Sequence, residues 1–488
     1  MGLINFFLKR KLKKLDLNIA KSPQIRVPNP IFNEGFHSLN VLLKDNIMPP
    51  LGDHSDIWAR PAPKFLGAYL WDSSFIAQAW KLWDPIIGFR ILKPFVEFQA
   101  KNGRMPHAVF FGRKVSPLSN PPFLAWAVKH ILNYYPKEKY RKFFLKPLLR
   151  FTEWRRKERY FEDIGLYYWK HSYESGIDNS PRFTSVDESE EYGVENLAAI
   201  DLNSEIVLQY QSIIEMLAGK DDYKIQQREL NEDLNILLEN IDKHLWDERK
   251  KIYVDLDKAN GDLRTIDTIT SYFPLIFRDL EKEKEKKLVD NLKNPQKYNT
   301  TIPTPTVARD SPDFIKDMWR GPVWMNTSYL IVKGLKNRGY NKLAGEFAYR
   351  LCKGVYQTWN NEGYFFEFYD PDRYDIKELY RKKGNLYKKI TISGKPVTDF
   401  AGWTGDVNAL LIEDVIGLHK KNNKWILEPH LPDEWLISGE QIKLKLPFYS
   451  VNLKLTIKDE SEIEAHFKEN EKQKKISTHN HRIKELSI

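Results

Sequence analysis

The chain predicts an all-α fold with a small antiparallel β appendage at its C-terminus, and three observations carry that reading. Between about residues 46 and 422 apolar side chains recur with the helical period. Several of these helices are apolar on more than one face, which suits an inner ring of helices enclosed by an outer one. After Trp425 the apolar period changes to two, the period of a half-buried strand.

Taken in order, residues 1–45 mix basic, proline-containing and short apolar segments and read as an N-terminal arm wrapping onto the main body. Residues 46–422 form the helical domain. Within it, Ala198 to Ala218 places Ile200, Ile206, Val207, Tyr210, Ile213, Ile214 and Leu217 on a helical repeat that stops at Gly219. Thr327 to Leu335, Leu343 to Trp359 and Asp406 to Leu418 behave similarly. Lys251 to Thr265 alternates through Ile252, Val254 and Leu256 into Asn260-Gly261, a hairpin signal. Asp255-Leu256-Asp257 resembles the start of a calcium loop, but Gly261 falls one place late and the distal Glu is missing, so the hairpin is preferred. Residues 423–468 form the β appendage, with alternation at Ile442, Leu444 and Leu446, at Val451, Leu453, Leu455 and Ile457, and at Ile463, Ala465 and Phe467. Residues 469–488 are polar and charged and read as a disordered tail.

Composition removes several classes of function. The net charge of +10 lies largely at the ends, in Lys9-Arg10-Lys11 with Lys13-Lys14 and in the C-terminal lysines. Neither cluster lies on an evident recognition helix, so no nucleic-acid partner is expected. Cys352 is the only cysteine, which rules out an internal disulfide and fits a reducing compartment. The apolar run Leu3 to Leu8 precedes its basic cluster, the reverse of a secretory signal, and no apolar stretch is long enough to cross a bilayer. A cytoplasmic protein is expected, with peripheral membrane contact through residues 1–20 as the alternative.

The chemistry concentrates in five segments. Glu174-Ser175-Gly176-Ile177-Asp178-Asn179-Ser180-Pro181-Arg182 puts two carboxylates on a loop bracketed by Gly176 and Pro181, where a proton donor can be aimed at a substrate. Tyr69-Leu70-Trp71-Asp72, Met318-Trp319-Arg320-Gly321-Pro322-Val323-Trp324, Gly363-Tyr364-Phe365-Phe366-Glu367 and Gly402-Trp403-Thr404-Gly405 each set aromatic rings beside a polar group. A sugar offers apolar C–H faces and a fringe of hydroxyls, so flat aromatic platforms with polar rims suit it. For any single segment, a core Trp beside a surface ion pair is the simpler explanation. Glu367 is harder to explain that way, because a carboxylate inside so apolar a run is desolvated unless partnered.

This ordered set resembles glycoside hydrolase family 63 and, more distantly, the trehalases and glycogen-debranching glucosidases, over roughly residues 65 to 435. The resemblance implies an (α/α)6 barrel whose loops at one end build a pocket for the terminal sugar of an α-linked chain. It implies Asp178 as general acid and Glu367 as general base of an inverting, exo-acting α-glycosidase of α-glucosidase or α-mannosidase type, with carboxyl groups about 6.5–9.5 Å apart. Trp71, Asp72, Trp319, Arg320 and Trp403 would shape the sugar site, joined by Asn179, Arg182 and Trp324 from the same motifs. Glu174 is the rival for the acid role and is preferred as a hydrogen-bonding partner of sugar or loop. It or Asp72 would help keep Asp178 protonated. Neither a cofactor nor a metal is required.

Two departures from the family pattern stand out. Phe368 follows Glu367 where relatives often carry Asn, and a long basic segment with Arg373, Lys377, Arg381, Lys382, Lys383, Lys388, Lys389 and Lys395 runs on to Gly402. That segment is either a solvated surface loop or a cover that favours an anionic aglycone such as glycerate. Competing readings of the chain are a sugar phosphorylase, an isomerase using His107 and His171, and a non-catalytic carbohydrate-binding protein.

Overall fold

The computed structural model describes residues 19–50, 56–110, 115–183, 194–381, 394–460 and 462–486. The body is helix-rich, and a five-stranded antiparallel sheet completes it. Helix α1 (Pro30–Asp45) starts at Asn29, whose side chain accepts from the Ile31 amide, with proline in the first turn. It is followed by α2 (Leu70–Trp83), α3 (Pro85–Glu97), α4 (Leu124–Tyr134), α5 (Glu138–Glu158), α6 (Ile200–Leu217) and α7 (Lys224–His244). A 3-10 segment, Ile269–Ile276, then leads to α8 (Lys282–Lys293), α9 (Met325–Asn337), α10 (Asn341–Glu362) and α11 (Asp406–Leu410), which continues as a π turn over Leu411–Val415.

Burial divides these elements into two sets. Every residue of α2, of Ile269–Ile276 and of Asp406 to Val415 is buried, as is nearly all of α6. By contrast, α7 buries only Leu230, Leu234, Leu237 and Ile241, one stripe on an otherwise polar helix. The buried segments touch in cyclic order: α2 on α4, α4 on α6, α6 on Ile269–Ile276, that segment on α9, α9 on α11, and α11 back on α2. Each is backed by its neighbour, respectively α3, α5, α7, α8, α10 and α1.

The sheet consists of β1 (Gln24–Arg26), β2 (Gln441–Leu446), β3 (Val451–Ile457), β4 (Glu462–Glu469) and β5 (Lys472–His479), paired in that order. Ile442, Leu444, Leu453, Leu455, Ile463, Ala465 and Phe467 form its buried face. The Asn260-Gly261 hairpin is present, pairing Asp255–Asp257 with Asp262–Arg264.

Four sequence expectations need correction. Residues 1–45 are not simply an arm: β1 is an edge strand of the C-terminal sheet, and α1 buries Phe32, Phe36, Leu39 and Leu43 against the helical body. That apolar stripe has helical spacing, which the mixed composition of the segment obscured; residues 1–18 lie outside the described residues. The 469–488 segment is not a disordered tail in its described part, because β5 and a short strand, Lys484–Glu485, lie within it. An edge strand is held by backbone pairing and needs few apolar side chains, so its composition resembles that of a tail. The boundary of the appendage at 423 is also displaced, since Leu418–Lys421 already pairs with Lys424–Leu427. The helix predicted to reach Leu418 ends earlier, at Gly417 with φ +86°, where a Cβ would lie 1.9 Å from the Glu428 carbonyl oxygen. No helix among the described residues is long and apolar enough to cross a membrane.

Candidate active site

The acid-bearing loop begins with a single helical turn, Ser172–Ser175, capped by the His171 side chain and ended by Gly176 at φ +73°. A Cβ at Gly176 would lie 2.0 Å from the Trp71 ring, so only glycine lets the loop close against that indole. The loop is pinned at three places. Glu174, fully buried, accepts from Arg159 at 3.0 and 2.9 Å and from the backbone amides of Ser119 and Lys170. Burial alone would raise its pKa, but Arg159, the Ser119 amide and the charge of Arg155 lower it from the ordinary carboxylate value. Asn179 accepts from the Trp319 amide at 3.0 Å. Arg182 donates to Asp255 at 2.7 Å and to Asp201 at 2.9 Å. Asp255 is thereby engaged in the core.

Glu367 sits on an irregular segment held from both sides. Its amide donates to the Val397 carbonyl at 3.0 Å, and the Trp403 indole N–H donates to its own carbonyl at 2.8 Å. Thr404 donates to the Phe366 carbonyl at 2.7 Å, so the Gly402 to Gly405 motif serves as a bracket for the carboxylate-bearing segment. The Glu367 carboxylate is buried and accepts from Arg381 at 2.6 Å. Desolvation raises its pKa, opposed by Arg381 and reinforced by the charge of Asp178.

Asp178 and Glu367 line one cavity of about 620 Å³, together with Asp72, Trp71, Trp319, Trp324 and Trp403. Trp71 stacks on Trp319 with 5.7 Å between ring centroids and 11° between planes, and Trp319 stacks on Trp324 at 3.6 Å. The Trp71 amide is fixed by Asn120 at 2.8 Å. Asp72 is buried and raised well above the ordinary carboxylate range, chiefly by desolvation and further by the charge of Glu367. Burial therefore favours its neutral form, which can donate as well as accept.

Four of the residues singled out in the sequence stand behind the wall. Glu174, Asn179, Arg182 and Arg320 are buried but do not line the cavity. Glu174 therefore takes the loop-holding part of its expected role. Arg320 lies next to Trp319 on a tight turn closed by its amide on the Asp317 carbonyl, which turns the indole to the cavity and the guanidinium away. Glu174 is paired with Arg159, and the charge of Glu367 acts on Asp72. His107 reaches the cavity while His171 is exposed on the surface, so the histidine pair of the isomerase reading is not assembled.

The cavity also presents residues that motif reading did not assign: Tyr69, Tyr173, Asn120, Lys64 and Arg381. Tyr69 and Arg381 lay inside segments already noted for their composition. Nothing in the spacing of Lys64, Asn120 or Tyr173 distinguishes them from surface or turn residues. Of the basic 371–401 segment, Arg381 faces the cavity. Arg373 pairs with Asp375, and Lys395 donates to the backbone carbonyls of Ile376, Lys377 and Leu379. Lys382, Lys383, Lys388 and Lys389 lie outside the described residues.

Two carboxylates on one sugar-sized, tryptophan-walled cavity define the class as a glycoside hydrolase. Residues 66–382, which contain both carboxylates, match the family model described as the mannosylglycerate hydrolase MGH1-like glycoside hydrolase domain, and the chain belongs to that family. It is similar to mannosylglycerate hydrolase of Thermus thermophilus, with 23% identity over 62% of this chain and 88% of that protein. It is also similar to mannosyl-oligosaccharide glucosidase of Saccharomyces cerevisiae, with 24% identity over 54% of this chain but only 35% of that protein's length. In fold it is similar to the GH63 mannosylglycerate hydrolase of Thermus thermophilus solved in complex with glucose, with TM-score 0.62 and 20% identity over 77% of this chain and 99% of that one.

Proposed function

We propose that the helical body is an (α/α)6 barrel and that its cavity removes the terminal sugar of a small α-glycoside by an inverting mechanism. The cyclic contacts of the six buried segments, each backed by an outer helix, support the barrel. The observation that carries the function is the presence of Asp178 and Glu367 on one cavity although they come from opposite halves of the chain.

In this mechanism Asp178 protonates the departing glycosidic oxygen. Glu367 takes a proton from the water that attacks the opposite face of the anomeric carbon. The stacked Trp71 and Trp319 rings offer a flat platform to the C–H face of the sugar, and the Asp72 carboxyl, whose neutral form burial favours, exchanges hydrogen bonds with its hydroxyls. Arg381 holds the Glu367 carboxylate in one orientation and opposes the pull of burial toward its neutral form.

The aglycone is acidic, as in a glycosyl-glycerate. Lys64 and Arg381 put two cations on a wall that otherwise carries three carboxyls, and the relative from Thermus thermophilus is named for mannosylglycerate. The test is to compare hydrolysis of α-mannosyl- and α-glucosyl-glycerate with neutral disaccharides, following the anomer of the released sugar by NMR. Preferential cleavage of the glycerates with initial release of the β-anomer is expected. Equal rates on neutral disaccharides would overturn the acidic aglycone, and initial release of the α-anomer would overturn inversion.

A further inference from the structure

The outward face of the five-stranded sheet lies beyond the matched family domain, and its charge is arranged rather than scattered. Strand register places Arg26, Lys443, Lys454, His466 and Lys475 in one row that crosses all five strands. The adjacent row, two residues along each strand, reads Gln24, Lys445, Asn452, Lys468 and Gln473. These ten positions hold six Lys or Arg and no acid. All ten are exposed or partly exposed. The nearest acid on this face, Glu464 in the following row, takes up Lys475 and His466 at one edge.

Cations directly opposite one another on neighbouring strands repel, and Arg26, Lys443 and Lys454 form three in a line. Folding alone gives no reason for that juxtaposition; a multivalent anion laid across the strands would relieve it. With strands about 4.8 Å apart, the rows span about 19 Å. No Trp, Tyr or Phe stands among the ten, so the face lacks the stacking platforms that neutral sugars and single-stranded nucleic acids require.

We propose that this face docks on an anionic phospholipid membrane. A planar array of cations matches a planar array of headgroups, each cation adding a modest, salt-screened increment. A second signal is written in the sequence. The sequence ahead of β1 contains Leu3, Ile4, Phe6, Phe7 and Leu8 followed by Lys9, Arg10, Lys11, Lys13 and Lys14. Stable peripheral attachment takes two such signals, an apolar one and a polybasic one. A duplex nucleic acid would have no use for the apolar run. Residues 15–23 separate Lys14 from Gln24, a span of at most about 32 Å of extended chain.

The test uses the full chain and sedimentation with vesicles of phosphatidylcholine alone or mixed with phosphatidylserine. Binding to the mixed vesicles only, weakening as salt is raised, is the expected result. Lys443→Gln/Lys454→Gln should lower partitioning about thirtyfold, roughly fivefold per cation removed. Lys286→Gln/Lys287→Gln, on the exposed side of α8, should leave it unchanged, and all variants should hydrolyse soluble glycoside at the parent rate. Removing the cross-strand repulsion will not unfold the sheet, and melting curves check this for each variant. Unchanged vesicle binding in the sheet variant would overturn the proposal, whether or not deletion of residues 1–18 abolishes that binding. Tighter binding to duplex DNA or to an acidic polysaccharide than to mixed vesicles at the same salt would also overturn it.

Discussion

Replacing Gly176 by alanine tests whether the acid loop is shaped by its contact with Trp71. Gly176 sits at φ +73°, and an added methyl would lie 2.0 and 2.1 Å from Cζ3 and Cε3 of that indole. Parallel contacts with Trp319 at 5.7 Å and Phe123 at 6.3 Å restrict the ring's movement away from the loop. Left-handed backbone costs a non-glycine residue about 1–2 kcal/mol, and overpacking of this kind costs about 1–3 kcal/mol more. The sum is about 2–5 kcal/mol for Gly176→Ala. Gly219 has nearly the same backbone angle, φ +72°, with nothing within 4 Å of an added Cβ, so Gly219→Ala carries only the first part. Urea unfolding of both variants isolates the clash as their difference. Turnover of an α-glycoside should fall about a hundredfold in Gly176→Ala, because the sugar platform and Asp178 two residues on move together, and stay at the parent value in Gly219→Ala. Equal destabilisation of the two variants, or full activity of Gly176→Ala, would refute the argument.

Asp178→Asn and Glu367→Gln should each lower kcat by about 10²–10⁴-fold while sugar binding, measured by calorimetry, persists; undiminished turnover would remove that residue from its role. Arg381→Gln leaves burial less opposed at Glu367, so the acidic limb of the kcat/KM profile should move to higher pH, with Arg381→Lys in between. An unmoved limb would mean that another group sets it. Glu174 is held below its unfolded pKa, so its ion pair with Arg159 contributes stability above the unfolded carboxylate's titration and loses it as pH falls through the lower folded value. Glu174→Gln should therefore cost about 3–5 kcal/mol at neutral pH, with a gap from the parent that narrows in acid; a pH-independent gap in urea unfolding would contradict this.

Helices and strands with an apolar face were legible because burial leaves a period in the sequence, as in Ile200 to Leu217 and Val451 to Ile457. Elements held by their edges were not. The β5 strand opens Lys472-Gln473-Lys474-Lys475, with no apolar residue in its first four, and owes its place to backbone pairing with β4. The site shows the same division. Trp71, Asp72, Trp319, Trp324 and Trp403 stood out as aromatic–polar clusters and line the cavity with Asp178 and Glu367. Lys64 and Asn120 reach it from loops whose local sequence says nothing about direction. Direction also misled at Arg320 and Arg182, because a motif position records that a side chain matters without recording which side of the wall it serves.

The nine-residue loop from Glu174 to Arg182 makes that last point in energetic terms. Glu174 and Arg182 are fully desolvated ion-pair members at its two ends, and Asn179 ties its middle to the Trp319 amide. Taking such charges out of water costs several kcal/mol per ion, which their partners only partly offset, so stability alone is a poor reason to build the loop this way. Apolar side chains of similar volume would pack there with less penalty but would not fix direction, whereas the two-pronged contacts of Arg159 and Arg182 do. Such anchoring serves a purpose if a single carboxyl, that of the proposed proton donor Asp178, is to meet a sugar oxygen within a few tenths of an ångström. The loop therefore uses three charged or polar side chains to aim one. Arg182→Leu should for that reason lower kcat more than its loss of stability explains, even though Arg182 never reaches the cavity. Measuring kcat at a temperature where circular dichroism shows the variant fully folded separates the two effects. A parent kcat under that condition would show that Arg182 serves stability alone.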